Sequence, residues 1–181
     1  MLPTLSSGQQ KYVNTAKKIR LNDVVVFYKN NDDNDSTKTA YFSGREYLRC
    51  MPFFGKYIEK NPETPDIYVK RVVGKEGDVI ELKAVKENGI NFVFLYRNGQ
   101  KIQENIVMLN LDDIDQTTAE YGQKLRDEYG DEGVQLVRPT APFTVPSGCF
   151  YVLGDNRDGS TDSRNFGAVS KDYFLGVVNV K

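Results

Sequence analysis

Short segments rich in β-branched and aromatic residues recur along the chain, and most of them are bounded by residues that favour turns. Such side chains pack well on a pleated surface, and runs of about four to eight of them are typical of strands. The hairpin signal Arg97-Asn98-Gly99-Gln100 predicts a type I′ turn, because Asn-Gly tolerates positive φ. The pattern therefore predicts a mostly β, mostly antiparallel fold. The predicted strands are Val24–Tyr28, Ile67–Val73, Val79–Leu82, Phe92–Tyr96, Cys149–Leu153 and Phe174–Val178.

Two intervals interrupt this pattern. Residues 29–40 are too polar to pack in a core and predict a surface loop. Within residues 103–140, apolar side chains recur at helical spacing and Gly130 follows the last of them, which predicts one amphipathic helix away from any chemistry. The recurring residues are Ile114, Tyr121, Leu125 and Tyr129.

The absence of histidine restricts the chemistry that this chain can perform. It removes the Ser-His-Asp and Cys-His arrangements and the common zinc sites that use histidine. A hydrolase built from this sequence needs another base, and lysine or a carboxylate pair is what remains. We expect no metal and no cofactor.

Charge and cysteine content further restrict the classes of function that this chain could have. Lys and Arg (24) nearly balance Asp and Glu (25), so there is no basic field to hold nucleic acid, and we expect no nucleic-acid partner. No stretch approaches the roughly 18 apolar residues of a membrane span. Cys50 and Cys149 form no metal-spaced motif, and both two free thiols and a single disulfide remain open.

Lys70 lies in the middle of a predicted strand, on the same face as Tyr68 and Val72. Burying an ammonium group among apolar neighbours is costly. One interpretation is an edge strand from which the lysine extends to water. The other is a deliberately desolvated amine. At an unperturbed pKa, only about one lysine in a thousand is neutral near pH 7.5, whereas a lowered pKa would let Lys70 take a proton from a hydroxyl group.

Residues 154–164 alternate acids, bases and hydroxyls directly after a predicted strand. Ordering so many charges is expensive unless they pair with each other. A solvated loop is one interpretation, and a calcium loop is another, since Asp158, Ser160 and Asp162 have the spacing of oxygen ligands. The EF-hand form does not fit, because its glycine and its final glutamate are not in place.

Four segments, in order, resemble the sequence boxes of type I signal peptidases. Met1-Leu2-Pro3-Thr4-Leu5 matches the first box after its serine, and residues 22–27 resemble the strand that follows it. Residues 68–78 are similar to the lysine box, and residues 145–167 to the last and longest box. The chain departs from these boxes at Asn22, at Lys75-Glu76 and at Gly159.

The resemblance implies a fold of coiled antiparallel sheets of the signal-peptidase type. It implies a catalytic β core formed by residues 1–82 and 141–181. Residues 83–140, which show no resemblance, are then an inserted non-catalytic subdomain that contains the helix.

The resemblance also implies roles. Lys70 falls at the general base, and Ser160 at a hydroxyl that hydrogen-bonds and orients the lysine. The nucleophilic serine would immediately precede Met1, so we expect this chain alone to be inactive. The remaining positions fall at two kinds of site. The substrate-binding positions are Met1, Leu2, Leu5, Tyr68 and Val69, and the loop-bracing positions are Asp155, Arg157, Asp162 and Arg164.

The implied substrates are the signal peptides of exported preproteins, with small side chains at the −1 and −3 positions. An N-terminal anchor would hold the enzyme in the cell membrane, with the catalytic domain on the extracytoplasmic side. One alternative is a catalytically inactive homologue that binds exported segments without cutting them. A self-cleaving regulator of the related Ser/Lys repressor class is a second alternative, but that class lacks the long box from Gly154 to Arg164.

Overall fold

The computed structural model describes residues 11–29 and 66–179, which form two β-sheets, one long α-helix, one single-turn α-helix and two 3-10 turns. The predictions for residues 30–40 and for Cys50 lie outside the described residues. The strands are β1 (Val13–Asn14), β2 (Val24–Lys29), β3 (Asp66–Lys75), β4 (Val79–Glu87), β5 (Ile90–Arg97), β6 (Gln100–Lys101), β7 (Val107–Asn110), β8 (Val134–Val137), β9 (Phe143–Thr144), β10 (Cys149–Leu153), β11 (Val169–Ser170) and β12 (Phe174–Val178). The helices are α1 (Gln116–Tyr129) and the short α2 (Ser163–Phe166).

The first sheet has the strand order β1-β12-β2-β3-β10-β11, and every pair in it is antiparallel. Strand β3 lies in its interior. On one side Lys70 pairs with Val25 of β2, and on the other β10 pairs with β3 only as far as Leu153 opposite Arg71. The edge-strand interpretation of Lys70 is therefore wrong. The lysine sits just past the end of β10, where the chain leaves the sheet as a loop.

The second sheet has the order β8-β7-β5-β4-β9, with β6 paired to β5. The predicted hairpin at Asn98-Gly99 is confirmed, with φ of 54° and 75°. A second Asn-Gly pair, Asn88-Gly89, joins β4 to β5 with φ of 51° and 82° and was not predicted. Strands β7 and β8 run parallel, so the sheet is mixed rather than wholly antiparallel.

Helix α1 confirms the prediction of one helix in this interval, and the predicted face is buried only in part: Tyr121 and Leu125 are half-buried, with the Tyr121 ring 5.8 Å from that of Phe92. Asp115 caps it by accepting a hydrogen bond from the Thr118 N–H, and Gly130 follows it at a φ of 77°. The buried residues are Thr118 and Gly122, whereas Ile114 precedes the helix and Tyr129 is 66% exposed.

Two apolar clusters form the interior. One lies on the first sheet and includes Val25, Val72 and Val152. The other combines first-sheet residues such as Leu153 with second-sheet residues such as Leu95. The second sheet runs from Val79 to Thr144, and the division of the chain at residues 83 and 140 stays a prediction. Within the described residues, none of the helices has both the length and the apolar character to cross a lipid bilayer.

Candidate active site

Lys70 projects from β3 toward the first-sheet core, where its cross-strand neighbour is the fully buried Val25. Its Nζ lies 5.8 Å from the centre of the Tyr68 ring. Burial lowers the pKa of the Lys70 amine below its usual value of 10.5, an effect that Asp162 opposes and Arg164 reinforces. Among the described residues, no carboxylate lies within ion-pair distance of Lys70. The environment therefore favours the neutral amine more than water does.

The segment after β10 is held by a buried carboxylate. Asp162, with no exposed surface, accepts a hydrogen bond from the Gly154 N–H at 2.9 Å and two from the Arg164 guanidinium at 2.8 Å. It also caps α2 through a reciprocal pair of hydrogen bonds with Asn165 and the helix backbone. A buried charge is tolerated when it is paired in this way. Arg164 further donates to the Ser160 carbonyl at 3.3 Å, so this ion pair spans the loop that carries Ser160.

The other face of β3 carries a second ion pair. Arg71 donates two hydrogen bonds of 2.7 Å to the Asp155 carboxylate and a third to the Asn22 carbonyl. Arg157, 3% exposed, instead pairs with Glu104 through two hydrogen bonds of 2.6 Å. Asp155 and Arg157 are therefore both paired, but with partners outside the 154–164 segment rather than with each other.

A cavity of about 220 Å³ opens beside Lys70. Its lining residues come from β3 and from the loop after β10, and they are Tyr68, Lys70, Gly154, Asn156, Gly159, Ser160 and Thr161. The Ser160 Oγ is buried and makes no hydrogen bond with any residue that the structure describes. Lys70 and Ser160 thus share one cavity, while the hydrogen bond that the family resemblance implies between them is not formed in this structure.

Of the predicted substrate-binding residues, one lines this cavity, one does not, and three are not described. Tyr68 lines the cavity, whereas Val69 alternates to the opposite face of β3 and is not part of the lining. Met1, Leu2 and Leu5 lie outside the described residues.

Sequence reasoning missed two contacts to the 154–164 loop, from Glu104 and from Gln135. No motif marks either residue. Only the pairing of distant charges could have suggested the first. Among residues 11–29 and 66–179, no cluster of three or more acidic, cysteine or histidine side chains could bind a metal, and the calcium-loop interpretation of residues 158–162 gains no support.

Comparison with known families defines the class of protein. The family model described as "Signal peptidase, peptidase S26" matches residues 1–181, and the chain belongs to this family.

Within the family, the relatives are signal peptidases I. The chain is 31% identical to signal peptidase I of Bacillus caldolyticus over 100% of its own length and 73% of that protein. It is 34% identical to signal peptidase I T of Bacillus subtilis over 97% of its length and 65% of that protein. It is 33% identical to signal peptidase IB of Staphylococcus aureus over 70% of its length and 59% of the relative. The chain thus spans between 59% and 73% of these relatives. A crystal structure of a signal peptidase I from Enterococcus faecalis was also compared with this chain. The matched region covers 90% of this chain and 98% of that chain, with a TM-score of 0.44 and 21% sequence identity.

Proposed function

We propose that this chain carries the catalytic region of an endopeptidase that removes signal peptides from exported preproteins, with Lys70 as its general base. The observation that carries the proposal is the environment of Lys70. The amine is half-buried, its pKa is lowered chiefly by that burial, and it shares a cavity with a buried hydroxyl. A base must be neutral before it accepts a proton, and desolvation is the physical means of keeping a lysine neutral.

The reaction is acyl transfer by a Ser/Lys dyad. A serine immediately upstream of Met1 attacks the carbonyl of the scissile bond, and Lys70 accepts the hydroxyl proton. Lys70 then returns the proton to the leaving amine and activates the water that releases the acyl-enzyme. Ser160 orients the Lys70 amine once it approaches within hydrogen-bond distance. The open cavity suits this cycle, because the cation that forms at Lys70 needs some access to solvent.

The substrate lies against the same end of β3. Tyr68, on the Lys70 face, is our candidate contact for small side chains at the −1 and −3 positions, and Met1, Leu2 and Leu5 are candidates by the resemblance alone. Val69, on the opposite face of β3, does not line the cavity beside Lys70. An N-terminal anchor upstream holds the enzyme in the cell membrane, with this region on the extracytoplasmic side. The relatives are signal peptidases I, which supports signal peptides as the substrates.

The test replaces Lys70 by alanine in the longer chain that continues upstream of Met1 and includes the serine. We expect kcat on a signal-peptide substrate to fall by roughly a thousandfold or more at every accessible pH, because no other base replaces the amine. Lys75→Ala is the matched control, since Lys75 lies at the exposed end of the same strand. A loss below about tenfold for Lys70→Ala would remove the lysine from the mechanism.

The pH dependence of kcat supplies an independent readout. Because the pKa of Lys70 is lowered, activity should rise with pH through a limb that lies below 10.5. A limb at the pKa of free lysine would contradict the proposal. Tight binding of the signal peptide without cleavage by the serine-containing chain would instead identify the inactive homologue.

A further inference from the structure

Two side chains from outside the 154–164 segment reach across to it. Gln135 lies on β8 of the second sheet, and Glu104 lies in the connection between β6 and β7. The Gln135 Oε1 accepts a hydrogen bond of 2.6 Å from the Arg157 N–H, and its Nε2 donates one of 3.2 Å to the Asp155 carbonyl. Glu104 binds the Arg157 guanidinium through two further hydrogen bonds.

These contacts are buried. Gln135 is 4% exposed, and both the oxygen and the nitrogen of its side-chain amide hydrogen-bond to the loop backbone. Arg157 is 3% exposed and also donates from Nε to the Gly154 carbonyl at 2.8 Å. Hydrogen bonds to charged groups in a buried setting are strong, and an unsatisfied partner left behind is costly. Residues 155–157 are therefore clamped from the second sheet through both backbone and side chain.

The clamped residues adjoin the Lys70 cavity directly. Asn156, between the two backbone contacts of Gln135, lines that cavity, and its Oδ1 accepts a hydrogen bond of 3.3 Å from the Gly159 N–H. Ser160 follows Gly159 and packs on Gly154, where a Cβ would overlap its side chain. A displacement of residues 155–157 would thus move the wall of the cavity opposite Lys70.

We propose that Gln135 and Glu104 are positioning residues that hold residues 154–160 against Lys70 and thereby limit how much water reaches the Lys70 amine. The proposal rests on the proposed role of Lys70 as the base. It assigns the second sheet a part in catalysis without any contact between Gln135 or Glu104 and the substrate.

Water entry is the means by which the clamp would act on Lys70. Burial is the largest influence on the Lys70 pKa, and the charged groups that also act on it are Asp162, Arg164 and Asp155. Asp162 and Arg164 remain paired with each other without Gln135. Loosening the clamp should therefore reduce desolvation and raise the pKa of Lys70 toward its usual value.

The first test measures the titration of Lys70 by NMR in the 181-residue chain with ¹³C-labelled lysine, assigned with Lys70→Arg. Gln135→Met keeps the side-chain length and removes both hydrogen bonds, and we expect it to move the Lys70 titration to higher pH. Glu104→Gln, which keeps a hydrogen-bond acceptor but removes the charge, should move it in the same direction by less. If Gln135→Met does not fold, Gln135→Glu replaces it in this test. That variant keeps the acceptor for the Arg157 N–H and removes the donor to the Asp155 carbonyl.

Asn91→Leu is the matched control. Asn91 is a 5% exposed amide of the same sheet, but it hydrogen-bonds to the Asp113 carbonyl and to Asp115, before helix α1. Its replacement should lower the melting temperature and leave the Lys70 titration unchanged. If the Gln135 and Glu104 variants also leave the titration unchanged, or if Asn91→Leu shifts it equally, the clamp has only a structural role and the proposal is overturned.

The second test measures kinetics in the longer, serine-containing chain. We expect Gln135→Met to lower kcat by about ten- to a hundredfold with little change in KM, because it raises the pKa of the base and loosens the loop that carries Ser160. The rising limb of the pH profile should move to higher pH together with the NMR titration. An active Lys70→Ala enzyme would defeat the proposed function itself. An inactive Lys70→Ala enzyme beside a fully active Gln135→Met enzyme would defeat only the clamp.

Discussion

At the scale of single residues, the site depends on how closely the loop after β10 approaches β3. Gly154 makes this approach possible, because the Ser160 side chain occupies the space where a Cβ at position 154 would lie. The Gly154 N–H is at the same time bound to the buried Asp162 carboxylate. The Gly154 backbone therefore cannot move away from Ser160 without breaking a buried charge-assisted hydrogen bond.

Gly154→Ala should consequently displace Ser160 from the Lys70 cavity. We expect a loss of about 1–3 kcal/mol in the free energy of unfolding, since the added methyl group overlaps a packed side chain. In the serine-containing enzyme, kcat should also fall. Gly159→Ala is the control in the same loop, because its Cβ would meet only the movable Asn156 side chain, at 3.3 Å. Denaturant unfolding of both variants checks the prediction, and equal stability of the two would contradict it.

The sequence predicted much of the candidate site at this scale and missed part of it. Alternation along β3 placed Lys70 on one face with Tyr68 and Val72, and the structure shows that this face points toward the first-sheet core. The partners of Arg157 were not predictable, because Gln135 and Glu104 lie 22 and 53 residues away in a region without a recognisable motif. Such contacts are set by the packing of one sheet against another, which no local pattern encodes.

At the scale of elements, three of the six predicted strands match almost to the residue, whereas β3, β4 and β5 extend beyond the predicted segments. β10 and β12 coincide with the predicted segments, and β2 differs by one residue. Strands β7 and β8 were missed, since each has only four residues and they pair in parallel. A short parallel pair gives little alternation, and its pairing depends on the tertiary fold.

In helix α1, the helical spacing of apolar residues did not reveal the packing role of Gly122. Gly122 weakens a helix by propensity, yet it is the residue that allows α1 to pack closely on β7. A Cβ on Gly122 would lie 2.8 Å from the Leu109 Cδ1, and Leu109 is 1% exposed. The close approach at Gly122 therefore adds to the half-buried face that Tyr121 and Leu125 form, as their spacing predicted.

Gly122→Ala tests this account against helix propensity. Propensity alone predicts a gain of about 1 kcal/mol for alanine in a helix interior. Overpacking against the buried Leu109 should exceed that gain, so we expect the free energy of unfolding to fall by about 1 kcal/mol. Lys124→Ala, two residues further on the exposed side, should be close to neutral. A stabilised Gly122→Ala protein in thermal unfolding would show that α1 can move away from β7.

At the scale of the whole molecule, the two sheets share a core. The cluster that contains Leu95, Leu82 and Val93 of the second sheet also contains Val73 and Leu153 of the first. The clamp from Gln135 to residues 155–157 adds a polar connection between the same two layers. Sheets that share buried apolar surface are expected to unfold together, since neither can expose its face alone.

Leu95→Ala tests that cooperativity. Leu95 is 1% exposed and lies in the shared core, so its truncation should lower the free energy of unfolding by about 2–5 kcal/mol. If the sheets unfold as one unit, amide hydrogen exchange should accelerate by the same factor in both. The informative amides are Val72 of the first sheet, bound to the Asp23 carbonyl, and Leu82 of the second, bound to the Thr140 hydroxyl. Leu111→Ala, at a 39% exposed position, should leave the hydrogen exchange of both amides unchanged. Faster exchange at Leu82 with unchanged exchange at Val72 would instead mean that the second sheet unfolds independently. A clamp from such a sheet could not hold residues 154–160 in place beside Lys70.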